Sequence, residues 1–515
     1  LTSMSLKAIF IPLALAGRAA LTAACCCLLF AKVAAGQIAQ APLLQAQAVA
    51  PLVLLTLGRD EKLYNAAYND YSDIDGDGVI DVGYRPAITY YGYFDSYKCY
   101  DYDTSSKRFK PASDTSNKKC SAKWSGDFLN YITTSRIDAL RRVLYGGKRV
   151  VDTGTQTILE RSYIPQDAHT WGREYDATVD SYLISDYTPL AQPTTGTRHF
   201  FANTSRNGDP STPLMRVLQN RTERIWNWVA KEGPVADNVL DESGATVSPA
   251  DYVVRVEACV TGLLEPECKG YPAASPTKYK PTGVLHDYGE SRSIAFGLLT
   301  GSFQNQRAGG VLRKNISYFD DEIDLTNGQF KSSVYGIVYH INQLKIAQWG
   351  PGYPGGCAGG SCKDYGSPTA EMMYEGLRYL GGATSPVSAF DYTDPGSVDS
   401  SLGLKKVSWL DPYRSIASGG FPYCAKPVQM AISDVYPSYD SDQLPGTAFG
   451  SFSAPATPTT LSSLNVASIA ASISTGESVG GNYFIGESLD NSPTTDRSPS
   501  LKTVTSLGRI RGLAP

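Results

Sequence analysis

Histidine is nearly absent from this 515-residue sequence. The four copies, His169, His199, His286 and His340, are scattered, and none sits in a HExxH pattern, so zinc-protease chemistry lacks its ligand set. No GxSxG elbow and no phosphate-binding loop occurs. Gly350-Pro-Gly352-Tyr-Pro-Gly355 fits GxGxxG only formally. Its two prolines, and the lack of a following helix, make it a turn-rich loop. Charge is scarce as well, at 19% of residues, with a net of −4. There is no basic field to hold nucleic acid. No apolar run reaches the ~20 residues of a membrane-spanning helix. The longest, Ala19 to Ala31, follows Lys7 and Arg18 and precedes the small residues Val33-Ala34-Ala35. Residues 1–35 are therefore expected to be a secretory signal, leaving no membrane span after its removal. Residues 36–50, rich in Ala and Gln, read as a spacer.

Cysteine fits export. Cys25, Cys26 and Cys27 fall within the signal. The rest form local pairs, Cys99 with Cys120, Cys259 with Cys268 and Cys357 with Cys362, which an oxidising compartment would favour as disulfides. Cys424 is left over. A zinc site at 357 and 362 would need a second Cys/His pair, and none is near.

What the sequence does have is a dense acidic loop. DIDGDGVID at 73–81 sets Asp73, Asp75 and Asp77 at positions 1, 3 and 5, Gly78 at 6, the Val79 carbonyl at 7 and Asp81 at 9. Calcium takes six to eight oxygens from loops of this kind, and the sharp turn requires glycine at position 6. An EF-hand would carry Glu at position 12, which is Tyr84, so Asp81 is expected to close a shorter site. The ion is expected to be structural Ca2+, since nothing nearby resembles a nucleophile or base.

Three short apolar runs, Pro51–Leu57, Ile294–Thr300 and Val428–Ser433, suit strands buried in a parallel sheet. Helical patterns lie between them. One runs from Phe128 to Leu144, with Arg141 and Arg142 in its last turn and Gly146-Gly147 as the stop. A second covers Ala370 to Leu380, and a third Leu214 to Val229 with Trp226 as a core anchor. Tyr252–Val256 reads as a strand, and Glu322–Phe330 as a hairpin turning at Asn327-Gly328. Residues 446–464 are Ser/Thr/Pro-rich and read as linker. The spacing implies an α/β core with large, β-rich, disulfide-tied insertions. The tyrosines at 90, 91, 93, 97, 100 and 102 either pack such an insertion or present aromatic contact area.

Seven stretches taken together resemble one family. They are YGYFDSYKCYDY (91–102), SGDFLNYITTSRIDALRRVLYGG (125–147), LERSYIPQDAH (159–169), TGSFQNQRAGGVLRKN (300–315), PTAEMMYEGLRYLGG (368–382), ISDVYPSYDSDQLPG (432–446) and LGRIRGLAP (507–515). The set is similar to the N-terminal half of the PilC/PilY-type type IV pilus tip adhesin and assembly proteins. The resemblance implies a von Willebrand factor A-like (Rossmann-type) domain with insertions over 51–445. Residues 446–515 would then lead to a β-propeller, with this chain the N-terminal portion of a longer product. It also implies minor pilins at the pilus tip as partners, a host or abiotic surface as a further one, and passage through the periplasm to the cell surface. Such a core often carries a metal-ion-dependent adhesion site that begins D-x-S-x-S. Here the first strand ends Thr56-Leu57-Gly58-Arg59-Asp60-Glu61-Lys62 without it, while Thr369 and Asp434 stand at the later positions of a second metal site. The expectation is a non-enzymatic calcium protein that supports pilus assembly and adhesion. The alternatives are a structural tip scaffold without adhesive activity and a secreted hydrolase using Asp320, Asp324 or His199.

Overall fold

The computed structural model describes residues 49–167, 169–206, 209–230, 245–347, 366–433, 443–446 and 461–477. Three of the apolar runs assemble as read from the sequence. Strands β1 (Leu52–Leu57), β2 (Ala295–Thr300), β3 (Val311–Ser317) and β4 (Pro427–Ile432) form one sheet in the order β3-β2-β1-β4. β1 pairs in parallel with β2 and with β4, and β3 closes one edge antiparallel to β2.

The sheet is sandwiched by side chains of opposite parity. Leu52 and Leu54 of β1 face Met372 and Tyr379, whereas Leu55 and Leu57 face Ile137, Leu285, Ile337 and Ile341. Each fully buried aliphatic side chain contributes about 1.5–3 kcal/mol. β4 departs from expectation. Val428 and Met430 are exposed, because β4 is an edge strand among the described residues.

Helix α1 (Gly126–Thr133) and helix α2 (Arg136–Tyr145) replace the single helix expected over 128–144. The break has a local cause. Ser135 leaves helical geometry, and its hydroxyl accepts the Asp138 N–H at 3.3 Å, which starts a new helix. The stop is as expected: Gly146 takes φ 81° and its N–H bonds Arg142 O. Arg141 and Arg142 do not act as solvated end charges. Both are buried. Arg141 donates to Ile341 O and Leu344 O, and Arg142 pairs with Glu267. Helix α3 (Thr369–Leu380) matches its expected span, and α4 (Val466–Gly476) lies past the expected linker start.

Residues between β1 and β2 build a two-stranded pair, Cys268–Tyr271 with Lys278–Pro281, and two larger sheets. One has six strands, of which Lys98–Asp103, Arg108–Asp114 and Arg255–Ala258 are central. The other has four antiparallel strands, Trp171–Asp176, Arg198–Arg206, Asp209–Arg221 and Ala250–Val253. The third expected helix is largely this last sheet. Leu214, Met215, Val217 and Leu218 are paired across strands, and only Ile225–Ala230 is helical. Trp226 is 62% exposed, and Trp228, at 0%, is the anchor, stacked on Phe200 at 5.6 Å. The strand expected over 252–256 divides at Val254 between the two sheets. The expected hairpin is a tight turn with a single bridge, Ile323 to Phe330, and no strands. Its Gly328 has φ 73° and lies against the Tyr271 ring.

Tyr90, Tyr93 and Tyr100 are buried in an aromatic core with Phe94, Phe109, Trp124 and Phe128, so the tyrosine-rich stretch mainly packs an insertion. Tyr91 and Tyr97 remain exposed. Disulfides join Cys99 to Cys120 and Cys259 to Cys268, with Cα separations of 5.5 and 5.6 Å. Cys424 is free and exposed. Cys357, Cys362, the glycine-rich 350–355 stretch and the expected signal lie outside the described residues.

Candidate metal centre

The acidic loop hangs from the insertion by two anchors. At its base, Asp70 Oδ1 accepts the Gly83 N–H at 3.1 Å, and the Asp81 N–H reaches Ser72 O at 3.0 Å. Just beyond, the Tyr84 hydroxyl donates to Asp127 Oδ2 at 2.8 Å. Asp127 belongs to α1, is fully buried and also accepts the Tyr90 N–H at 2.9 Å. Burial raises its carboxyl above the ordinary range, against the hydrogen bonds of Tyr90 and Tyr84 and the charge of Lys118.

Inside the loop, backbone N–H groups curl around the first carboxylate. Asp73 Oδ1 accepts Gly76 N at 2.7 Å and Asp77 N at 3.1 Å, and Oδ2 accepts Gly78 N at 2.8 Å. Asp77 Oδ1 accepts Val79 N at 2.7 Å. Gly76 and Gly78 adopt φ of 79° and 89°, a backbone region costly for residues with a Cβ. Asp73, Asp75 and Asp77 thereby bring one oxygen each to within 4.8 Å of one another. At that spacing each pair repels by roughly 1 kcal/mol in water. Two further members of the expected set stand differently. Asp81 is buried at the loop's base, where Oδ2 accepts the Ile74 N–H at 2.8 Å, and it is not in the converging trio. Val79 is exposed at the tip with Ile80, and Tyr71 and Val82 flank the loop equally exposed.

The donor set is all oxygen. With no imidazole or thiolate in the cluster, it fits a hard cation such as Ca2+ better than a transition metal. The other trio of possible ligands among the described residues, Cys259, Glu265 and Cys268, holds a disulfide, which removes both thiolates as donors.

Thr369 lies at the carboxyl end of the parallel strands, where open α/β sheets hold ligands. Its Oγ1 is 3.2 Å from Ser433 Oγ. That oxygen is also 3.2 Å from Ser367 Oγ and 3.0 Å from Asp60 Oδ2. Asp60 and these hydroxyls were not readable as a group, since they come from three distant segments. Asp434 lies outside the described residues. Arg59 donates to Gln306 O at 2.9 Å and lies over the Phe303 ring.

The residues considered for hydrolysis have local duties. Asp320 pairs with Arg292 at 2.7 Å, and Asp324 caps a turn through Thr326 and Asn327. The His199 ring nitrogens bond Ala191 O and the Asn220 N–H. Burial lowers its pKa. The acidic run is not simply surface. Glu322 is buried, bonds Lys314 and accepts the Ile337 and Val338 N–H groups. No helix among the described residues is long and apolar enough to cross a membrane.

Two family descriptions match the chain: "PilY1 homolog, small alpha/beta domain" over residues 81–222, and "PilY1 homolog, second domain" over 296–515. Two curated relatives, both described as "Type IV pilus biogenesis factor PilY1 homolog" of Xylella fastidiosa strain Temecula1, are similar to it. One is 46% identical over 90% of this chain and 33% of its own length. The other is 30% identical over 47% of this chain and 20% of its own length. The chain thus spans a third or less of the curated relatives it matches. No solved structure matches it.

Proposed function

Because this chain belongs to the PilY1-type type IV pilus factors, we propose that it is an exported, pilus-associated protein that supports pilus biogenesis and surface adhesion, with Ca2+ ordering its acidic loop. Asp73, Asp75, Asp77, the Val79 carbonyl and Asp81 would hold the ion. The observation that carries the calcium reading is the convergence of three exposed carboxylates within 4.8 Å on a loop bent by two left-handed glycines. A bound divalent cation neutralises that repulsion and fixes the loop against its Asp70 and Asp127 anchors. Asp81 would reach the ion by turning from its bond to Ile74.

The β3-β2-β1-β4 sheet is read as a von Willebrand factor A-like core, supported by its parallel centre and by helices on both faces. A second metal at Thr369 and Asp434 is supported by the contact of Thr369 with Ser433, the residue before Asp434. The disulfides suit the periplasm and cell surface. The expected partners are minor pilins at the tip, a host or abiotic surface, and a β-propeller in the longer product. The function is binding and assembly rather than catalysis.

The test is complementation of a strain lacking the protein. Wild type is compared with an Asp73→Ala/Asp75→Ala/Asp77→Ala variant in calcium and in chelator, counting surface pili and adherent cells. The variant in calcium should match the calcium-depleted wild type in both counts. Unchanged counts overturn the calcium reading. Normal adherence in the deletion strain would leave a scaffold without adhesive activity.

A further inference from the structure

Beside the acidic loop lies a cleft of about 990 Å³, counting its open mouth, between the loop's base and the Trp171–Asp176 strand. Three guanidinium groups line it, from Arg85, Arg173 and Arg224. Its carboxylates are largely spoken for. Asp70 Oδ2 is 3.3 Å from Arg173 Nη1, Glu174 Oε1 is 2.6 Å from Arg224 Nε, and Asp176 Oδ2 is 2.6 Å from Arg198 Nη2. Asp180 accepts the Asp176 N–H at 2.7 Å.

Two of the guanidinium groups keep donors without acceptors. The Arg85 side chain is exposed; its charge acts on Asp180 across the cleft, but it forms no direct hydrogen bond or ion pair among the described residues. Arg173 is only 9% exposed and its guanidinium lies over the Tyr131 and Trp171 rings, yet its Nε and Nη2 have no hydrogen-bond acceptor among the described residues. A buried N–H without an acceptor is destabilising, and an incoming carboxylate is the group that satisfies two guanidinium donors at once.

The rim is apolar. Val82 and Val179 line the mouth at 57% and 78% exposure, and Trp226, next to the lining residue Ile225, is exposed as well. Apolar side chains around a charged pit match the organisation of protein-binding hot spots, where an anchor is desolvated by its surroundings. A free small carboxylate would have no use for that rim.

We propose that this cleft docks a polypeptide partner by an Asp or Glu side chain carried between apolar residues, which enters beside Arg173 and Arg85 while its neighbours cover Val82, Val179 and Trp226. None of these residues is a proposed metal ligand, so the inference stands apart from the calcium reading, and all binding is measured at one fixed calcium concentration.

The test uses an array of immobilised pentapeptides with Asp or Glu at the centre and Leu, Val or Phe on either side. A matched array carries Asn or Gln at the centre. The full chain should bind the acid-centred set, with signal falling about tenfold on the amide set. Arg85→Glu, an exposed change that leaves packing intact, should abolish the difference. Arg173→Gln should weaken it with the circular dichroism spectrum unchanged. Equal binding to both arrays, binding to neither, or an Arg85→Glu protein that still prefers acids would overturn the proposal. So would displacement by free succinate as effective as by soluble acid-centred peptide.

Discussion

Replacing Asp399 by Asn would test how the carboxyl end of the parallel sheet is held. Asp399 sits on the short Val398–Ser401 helix and is fully buried, as is its partner Arg313 on β3. One carboxylate oxygen meets Arg313 Nη2. The other accepts Ser302 Oγ at 3.1 Å, Phe303 N at 2.9 Å and Gln304 N at 2.7 Å. Burial works against the Arg313 charge and Asp399 outweighs it, so its pKa lies above the ordinary value. Asn keeps the shape but offers one acceptor where two are used, so its NH2 must face either a guanidinium or two backbone N–H groups. Arg313 is then a buried cation without its counter-charge. Breaking a buried pair from one side costs about 3–5 kcal/mol. Arg313→Met removes the other side, together with bonds to Thr300 Oγ1 and the Tyr392 hydroxyl. The double variant should lose less than the sum of the singles, with a coupling of about 1–3 kcal/mol. Urea unfolding followed by circular dichroism measures all four corners of the cycle. A loss below about 1 kcal/mol for Asp399→Asn, or strict additivity, would refute the claim that this pair organises the loop after β2.

The two tryptophans of the Ile225–Ala230 helix separate core from surface. Trp228→Ala should cost about 3–5 kcal/mol in the same assay, and Trp226→Ala within about 0.5 kcal/mol, because only Trp228 packs on Phe200. His169 provides a pH dependence. Burial opposes its charge, but Asp167 at 2.8 Å and Glu61 at 3.8 Å prevail and push its pKa up to about 9. A raised folded pKa gives stability fully present below the unfolded value of about 6.5 and lost as pH rises through about 9. Discounted for solvent screening, this is about 1–2 kcal/mol. Melting from pH 6 to 10 should show that decline in wild type and a flatter profile in His169→Gln, and parallel profiles would contradict it.

The parts of the fold that were legible are those set by local chemistry. Apolar runs gave β1 and β2, and left-handed Gly146 marked the end of α2. Two of the three cysteine pairs proved close enough to bond. The parts that were not legible depend on partners far along the chain. Leu214 to Leu218 has spacing compatible with a helix, and pairing with the Arg198–Arg206 and Ala250–Val253 strands makes it a strand. Arg141 reads as a helix-end charge until the 341–344 carbonyls fold over it. The acidic loop's turn was visible because its aspartates and glycines lie within nine residues. Asp60, Ser367, Thr369 and Ser433 meet across more than 300 residues of sequence, and no spacing rule finds them.

Isothermal titration of the chain with Ca2+ addresses the acidic loop directly. The account predicts saturable binding in wild type, with the stoichiometry reduced by one ion in Asp75→Ala. Equal heats and equal stoichiometry in the two proteins would place any ion elsewhere and contradict it.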